Sequence, residues 1–489
     1  PGSGYTSTPN ISFQNGGGSG AIATALIGGV NQVTVTNPGV FYAVPPNVTF
    51  SSPPSGGAVA TGTAEITGTA QISAGRLNWT ALEQPLDVFL STFSRAAISL
   101  TGDGDLVVNR DSGDLILEGA STVNGSISIA AQKLWITGAV TAGDSNSTRT
   151  EDVALAALGS DLIIDAAVTA PRTVTLLAEA GKITATNLAA PGLVTTKDIV
   201  LSAFSGATIR SNAQTVRGVV SEDNANITIS ETDDLLLGTA LGDLLSTNGT
   251  ISVTAAGALT VGRIDAGSQG TISLTAGSNI TQGTADAEPD IVAATASLAS
   301  NAGKIDIDTD VDSVSATTPL STIDIDNTSS RSLTLANISA RNNVRVESVG
   351  PMSAVSVQST LGQIALTTTG TDLGPPPSDI LVGSANAPVG VATIQSTGRV
   401  ASNDPLALSI DVTATTARVS AVTDIELRTR LTSLSAKAGT GITIAEFDAI
   451  TLGEAAGPAG WNTVKTTNGD INVSAGDSMN AFNVDASAS

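Results

Sequence analysis

The sequence contains no cysteine and no histidine, only 3% aromatic residues, and 21 basic against 44 acidic side chains. Each shortage removes a class of chemistry. Without cysteine there is no disulfide, thiolate ligand or thiol nucleophile. Without histidine there is no imidazole ligand, no histidine general base and no Ser-His-Asp system. The lack of cysteine suits export across a membrane in an unfolded state, where a stray thiol is a hazard. A formal net charge of −23 argues against nucleic acid and anionic membrane surfaces, which clustered Lys and Arg would bind. No apolar run reaches the ~18 residues that a membrane-spanning helix needs.

What remains is 489 residues rich in Gly, Ser, Thr, Ala and Val. The opening stretch PGSGYTSTPNISF (1–13) returns as PGVFYAVPPNVTF (38–50). Pro1, Gly2, Tyr5, Pro9, Asn10 and Phe13 fall on Pro38, Gly39, Tyr42, Pro46, Asn47 and Phe50, and SGAIAT (19–24) falls on GGAVAT (56–61). Repetition of this kind signals units that stack. Residues 1–75 therefore read as two 37-residue all-β repeats with Gly and Pro at the turns. A chain that opens inside a repeat and closes on DASAS reads as a segment or processed form of a longer polypeptide.

Residues 76–95, RLNWTALEQPLDVFLSTFSR, concentrate bulky apolar side chains. Leu82, Leu86, Phe89 and Phe93 have helical spacing, although Pro85 limits any helix upstream. This segment reads as a connector or cap, a short helix or a loop, over the exposed end of the next domain.

From residue 96 to 489 one texture dominates. Asp runs into aliphatics in DLVV (105–108), DLIL (114–117), DLII (161–164), DIVL (198–201), DLLL (234–237), DILV (379–382) and DIEL (424–427). Gly leads alternating runs in GSISIA (125–130), GTISVTA (249–255), GTISLTA (270–276) and GDINVSA (469–475). The apolar period is two, the mark of strands. A right-handed parallel β-helix fits, with roughly nineteen coils of about 20 residues each. Its narrow interior favours ladders of Val, Ile, Leu, Ala and Thr over aromatic rings. The Asp before each run is placed to accept backbone N–H groups at the corner where the chain enters the strand.

The strings NGTISVTAAGALTVG (248–262) and GSQGTISLTAGSNITQ (267–282) resemble the repeats of filamentous-haemagglutinin-type bacterial exoproteins. That resemblance covers most of 96–485 and implies a right-handed β-helix on a bacterial surface. The opening repeat separately resembles a Gly-Tyr repeat of very large bacterial surface proteins, although Val40 and Phe41 depart from Ser3 and Gly4.

Two acidic groupings are candidate cation sites. In GDGDLVVNRDSGDLILEG (102–119) the Gly-Asp-Leu step recurs after nine residues. Asp103, Asp105, Asp111 and Asp114 could then supply oxygen ligands to calcium, the one ion the sequence suggests. The plainer reading is two strands joined by NRDSG. In KIDIDTDVD (304–312), Asp306, Asp308, Asp310 and Asp312 share one strand face opposite Ile305, Ile307 and Val311. Stacked with Asp324 and Asp326 they form an acidic stripe, for cations or basic partners, or simply a solvated face that resists lateral aggregation.

Together these features point to a non-enzymatic, extracellular structural protein: a rigid fibre or stalk segment, or a filament-forming subunit, on a bacterial cell surface. Its partners would be other copies of itself or further covalent chain. The alternatives are an adhesin for a host or cell-surface glycan and a polysaccharide lyase or hydrolase built on a β-helix. For the enzyme, no carboxylate pair stands out, and Trp79, Trp135 and Trp461 are far apart in sequence. Binding chemistry is expected on the insertions 137–152 and 367–379.

Overall fold

A computed structural model describes the chain except residues 1–2, 16–18, 26–32, 41–45, 55, 64–69, 72–75, 82–84, 91–93, 111, 144–149, 186–192, 240, 284–287, 371–377, 405–408, 455–457, 459 and 487–489. Among the described residues there is no helix, and so none long and apolar enough to cross a membrane. The chain divides into two compact units, Pro1–Pro171 and Arg172–Ser489.

In the first unit the two opening repeats pair with each other. Strand Ile11–Gln14 of the first copy runs antiparallel to Asn47–Phe50 of the second, with Ile11 opposite Phe50 and Phe13 opposite Val48. A second antiparallel pair joins Ser19–Ala25 to Val33–Val40. Tyr5, Ala25, Phe50 and Ala60 form a small core under Ile11, Val33 and Val48. The Tyr5 hydroxyl donates to the Ser51 carbonyl at 2.9 Å and accepts the Ala60 N–H at 3.3 Å, so the buried phenol is satisfied at both roles. Neither copy closes this core alone.

The rest of both units is parallel β-solenoid of right-handed type, about 17 turns in all. Its unit of cohesion is the ladder of like positions. In the second unit Ile227, Ile251, Ile272, Ala296 and Val314 stand in register on successive turns. So do Ile229, Val253, Leu274, Leu298 and Ala316, and all ten are buried. Burying each large aliphatic side chain contributes about 1.5–3 kcal/mol. The alternating Ser and Thr between them point outward. GTISVTA and GTISLTA lie directly one over the other, Thr250 against Thr271 through Ala255 against Ala276.

The turns number fewer than a uniform 20-residue coil would give, because many are longer, as the 24-residue steps from Ile227 to Ile251 and from Ile272 to Ala296 are. Successive partners are separated by 17 residues between Val412 and Thr429 but by 29 between Ile442 and Ile471. Corner loops absorb the difference while the strands keep register.

The segment 76–95 contains no helix among its described residues. Arg76–Ala81 pairs in parallel with Arg95–Leu100, and Leu86–Phe89 pairs with Leu106–Asn109. It forms solenoid strands rather than a separate lid. Val88 and Leu90 are buried while Asp87 and Phe89 are exposed, a period of two that outweighs the helical spacing of Leu82, Leu86, Phe89 and Phe93.

Candidate functional site

The corners where strands meet carry most of the polar structure. Asp105 Oδ1 accepts the N–H of Ser126 on the following turn at 2.8 Å. Asp234 does the same for Ala258 at 2.7 Å and Asp379 for Arg399 at 2.9 Å. The acidic residue ahead of an aliphatic run thus binds the next turn rather than its own corner. Asn takes the same part, which the Asp-only pattern misses: Asn226 accepts from Thr250, Asn279 from Lys304 and Asn343 from Gln363, at 2.8–3.0 Å.

Two buried glutamates, marked by no motif in the sequence, fill a second corner. Glu231 is 4% exposed and Glu446 5%. Glu231 Oε2 accepts the Ser211 hydroxyl at 2.8 Å and the Ala213 N–H at 3.0 Å, while Oε1 accepts Thr232 N–H at 2.7 Å. Burial pushes the Glu231 carboxyl above the usual carboxylate range, against the pull of those donors. Asn327 stands at the equivalent end of IDIDN, its Oδ1 accepting from the Thr309 hydroxyl and the Val311 N–H, both at 3.1 Å. The signal that could have found these groups is parity: Ile227, Ile229 and Glu231 share one strand face, and so do Ile442, Ile444 and Glu446.

Asp411 is fully buried. It accepts the Arg428 N–H at 2.7 Å and the Ser402 hydroxyl at 2.8 Å, and lies 3.3 Å from the Arg428 guanidinium. Burial outweighs these partners and raises its carboxyl above the ordinary range.

The loop considered for calcium has a different internal logic. Asp103 is hydrogen-bonded by the Asn124 amide, Asp105 is committed to Ser126, and Asp114 stands in register with Lys133 at the start of its strand. Asp111 lies outside the described residues. Gly113, at φ 102°, has no side chain where the Arg110 guanidinium lies, so a cation is already part of the loop. Among the described residues no three acidic side chains converge on a metal-sized site.

The acidic stripe is stacked and largely compensated. Asp306 pairs in register with Asp324, and Asp308 with Asp326; above them stand Arg345 and Glu347. Arg345 reaches Asp324 at 2.7 Å, Asp326 at 2.6 Å and Glu347 at 2.6 Å. Partial burial, with Asp324 and Glu347 nearby, raises the Asp326 carboxyl despite this contact. Arg331 joins Asp310 at 2.7 Å to Asp312 at 2.9 Å, and Lys304 holds Asp306 at 2.6 Å. Asp308 donates its backbone N–H to the buried Asp290 carboxylate at 3.2 Å.

Among the described residues, two grooves bear on the question of a ligand. The first, about 440 Å³ in the amino-terminal unit, runs from Trp79 along Ser99, Ser121 and Thr141. Ser99 and Ser121 bond each other across it at 2.7 Å, and Glu118 on its wall accepts from Arg95 at 2.8 Å. The second, about 510 Å³ in the carboxy-terminal unit, is lined by Thr317, Pro319, Ser339, Arg341, Thr360 and Leu361. The other tryptophans lie apart from both: Trp135 donates its indole N–H to Asp165 at 2.6 Å, and Trp461 packs 5.7 Å beneath Lys437. The expected binding insertions fall largely at 144–149 and 371–377, outside the described residues.

Compared with protein-family models, with curated proteins and with solved structures, the chain gives no match.

Proposed function

We propose that this chain is a non-enzymatic structural element of an extracellular, bacterial surface assembly, a stiff stalk segment or filament subunit. The observation that carries the reading is the ladder itself. Strand after strand repeats the same aliphatic position, and each turn's backbone is hydrogen-bonded to the next. Such a stack resists local opening, because freeing one turn exposes its own core and both neighbours' strand edges.

The charged groups support this role. Clustered carboxylates such as Asp324, Asp326 and Glu347 are drawn onto one guanidinium. They bind turns together rather than standing ready to pass a proton. The resemblance of the strings at 248–282 to filamentous-haemagglutinin-type repeats supports an exported, surface-borne role.

Surface immunolabelling of intact source cells, with electron microscopy of the shed material, tests the reading. Label on unpermeabilised cells and on filaments is expected. Label seen only after permeabilisation, or release of reducing or unsaturated ends from anionic polysaccharides by the purified chain, overturns it.

A further inference from the structure

Among the described residues, the groove on the corner Thr317–Pro319, Ser339–Arg341 and Thr360–Leu361 gathers an unpaired guanidinium and three unpaired hydroxyls beside exposed apolar side chains. Arg331, Arg345 and Arg399, on the same or nearby turns, each hold a carboxylate. Among the described residues the Arg341 guanidinium has no carboxylate and no hydrogen-bond acceptor. The hydroxyls of Thr317, Ser339 and Thr360 also have no partner within the described chain, unlike the mutually bonded serines of the Trp79 groove. Thr317 and Ser339 are in direct register, so their hydroxyls project from one face of adjacent turns.

The apolar part is fixed by the same stacking. Leu361 is 54% exposed, and with Pro319 it forms a small apolar wall beside Arg341. The backbone, by contrast, is closed. Arg341 N–H donates to Thr318 O at 3.2 Å, Thr360 N–H to Ala340 O at 3.0 Å, and Leu361 N–H to Arg341 O at 2.7 Å. An extended peptide would find no free strand edge here to add to. The volume falls within the range of small-ligand pockets.

We propose that this corner groove binds an acidic saccharide unit. Its carboxylate lies on the Arg341 fork, its ring hydroxyls on Thr317, Ser339 and Thr360, and its apolar ring face against Leu361. A planar guanidinium is the side chain suited to a carboxylate, and hydroxyls both donate to and accept from a polyol. The acidic surround repels an anion at a distance, so recognition rests on these short contacts. This reading is independent of the structural role.

The test is titration of the full chain with sodium glucuronate, glucose, acetate and a glutamate-rich peptide, followed by calorimetry and ligand-observed NMR. Saturable glucuronate binding is expected, with glucose and acetate each at least tenfold weaker. Arg341→Ala lowers glucuronate affinity about tenfold or more, the loss of a charge-assisted contact. Arg341→Lys retains part of it, and Thr317→Val/Ser339→Ala weakens glucuronate without affecting acetate. An unchanged far-UV spectrum and melting temperature in each variant establish that the fold is intact. No glucuronate binding, equal binding of acetate, preference for the acidic peptide, or indifference to Arg341→Ala each overturns the proposal.

Discussion

Glu231 and Glu446, in widely separated turns, play the same part. Each turns a carboxylate inward at the end of a strand to accept a hydroxyl and a backbone N–H from the preceding turn. Ser211 and Ala213 supply them for Glu231, Thr429 and Leu431 for Glu446. At these points the chain rounds a corner and the regular ladder cannot satisfy the amide. The side chain completes it.

Truncating Glu446 removes the acceptor of the buried Leu431 amide and Thr429 hydroxyl, while the Phe447 amide keeps the Thr429 carbonyl. Glu446→Ala should destabilise the carboxy-terminal unit by about 1–3 kcal/mol, the cost of buried unpaired donors. Glu446→Gln, which keeps one oxygen, should lose less. Denaturant titration gives the magnitude, and faster hydrogen exchange at Leu431 gives the location; wild-type exchange there in the Ala variant would refute the assignment.

Acid should stabilise this protein before it harms it. The carboxyls of Glu231, Asp326 and Asp411 are all raised in the folded state, with burial the leading cause. A group raised on folding gives its full stabilisation below the unfolded value and loses it as pH rises through the folded value. Lowering the pH from 7 towards 4 therefore protonates these groups favourably while also relieving the excess of negative charge. The melting temperature should rise over that interval, and Glu231→Gln should flatten its share of the rise. A melting temperature that falls steadily from pH 7 would contradict this.

The aliphatic ladder should be intolerant of shortening. Ile272 is wholly buried between Ile251 and Ala296. Ile272→Ala should cost about 2–5 kcal/mol, the transfer term plus the cavity. Its outward neighbour Ser273→Ala should change stability by less than about 0.5 kcal/mol. Urea midpoints of the two variants decide the matter, and similar midpoints would mean the register is wrong.

Arg345 neutralises stacked carboxylates that would otherwise repel one another. Arg345→Ala should lower stability by on the order of 1 kcal/mol at low salt, a modest value because the side chains are well exposed. The deficit should shrink as salt is raised, since screening weakens the repulsion among Asp324, Asp326 and Glu347. A deficit independent of salt would point to lost packing instead.

Much of this architecture was legible in the alternation of residue types. The strings at 249–255 and 270–276 lie on adjacent turns, one over the other, and Ile/Asp alternation at 304–312 places buried and half-buried residues in turn. The helical spacing at 82–93 misleads because it picks out apolar residues of mixed parity, among them the exposed Phe89, and passes over Val88 and Leu90. Leu86, Val88 and Leu90 already carry the strand period in which Val88 and Leu90 are buried. The corner glutamates escape notice because a carboxylate on an inward face reads as an interruption. Only the hydroxyl and amide it serves, 20 and 18 residues earlier for Glu231, give it a reason. The Arg341 groove is less legible still, since its members come from three turns and share no motif.

The unequal turn lengths carry a practical consequence. Because Val412 finds Thr429 after 17 residues and Ile442 finds Ile471 after 29, the strand contacts do not measure how much chain lies between them. A peptide tag, protease site or small folded module spliced into a corner loop of a long turn should therefore be carried as freight, displayed at a chosen height while the paired strands keep their register.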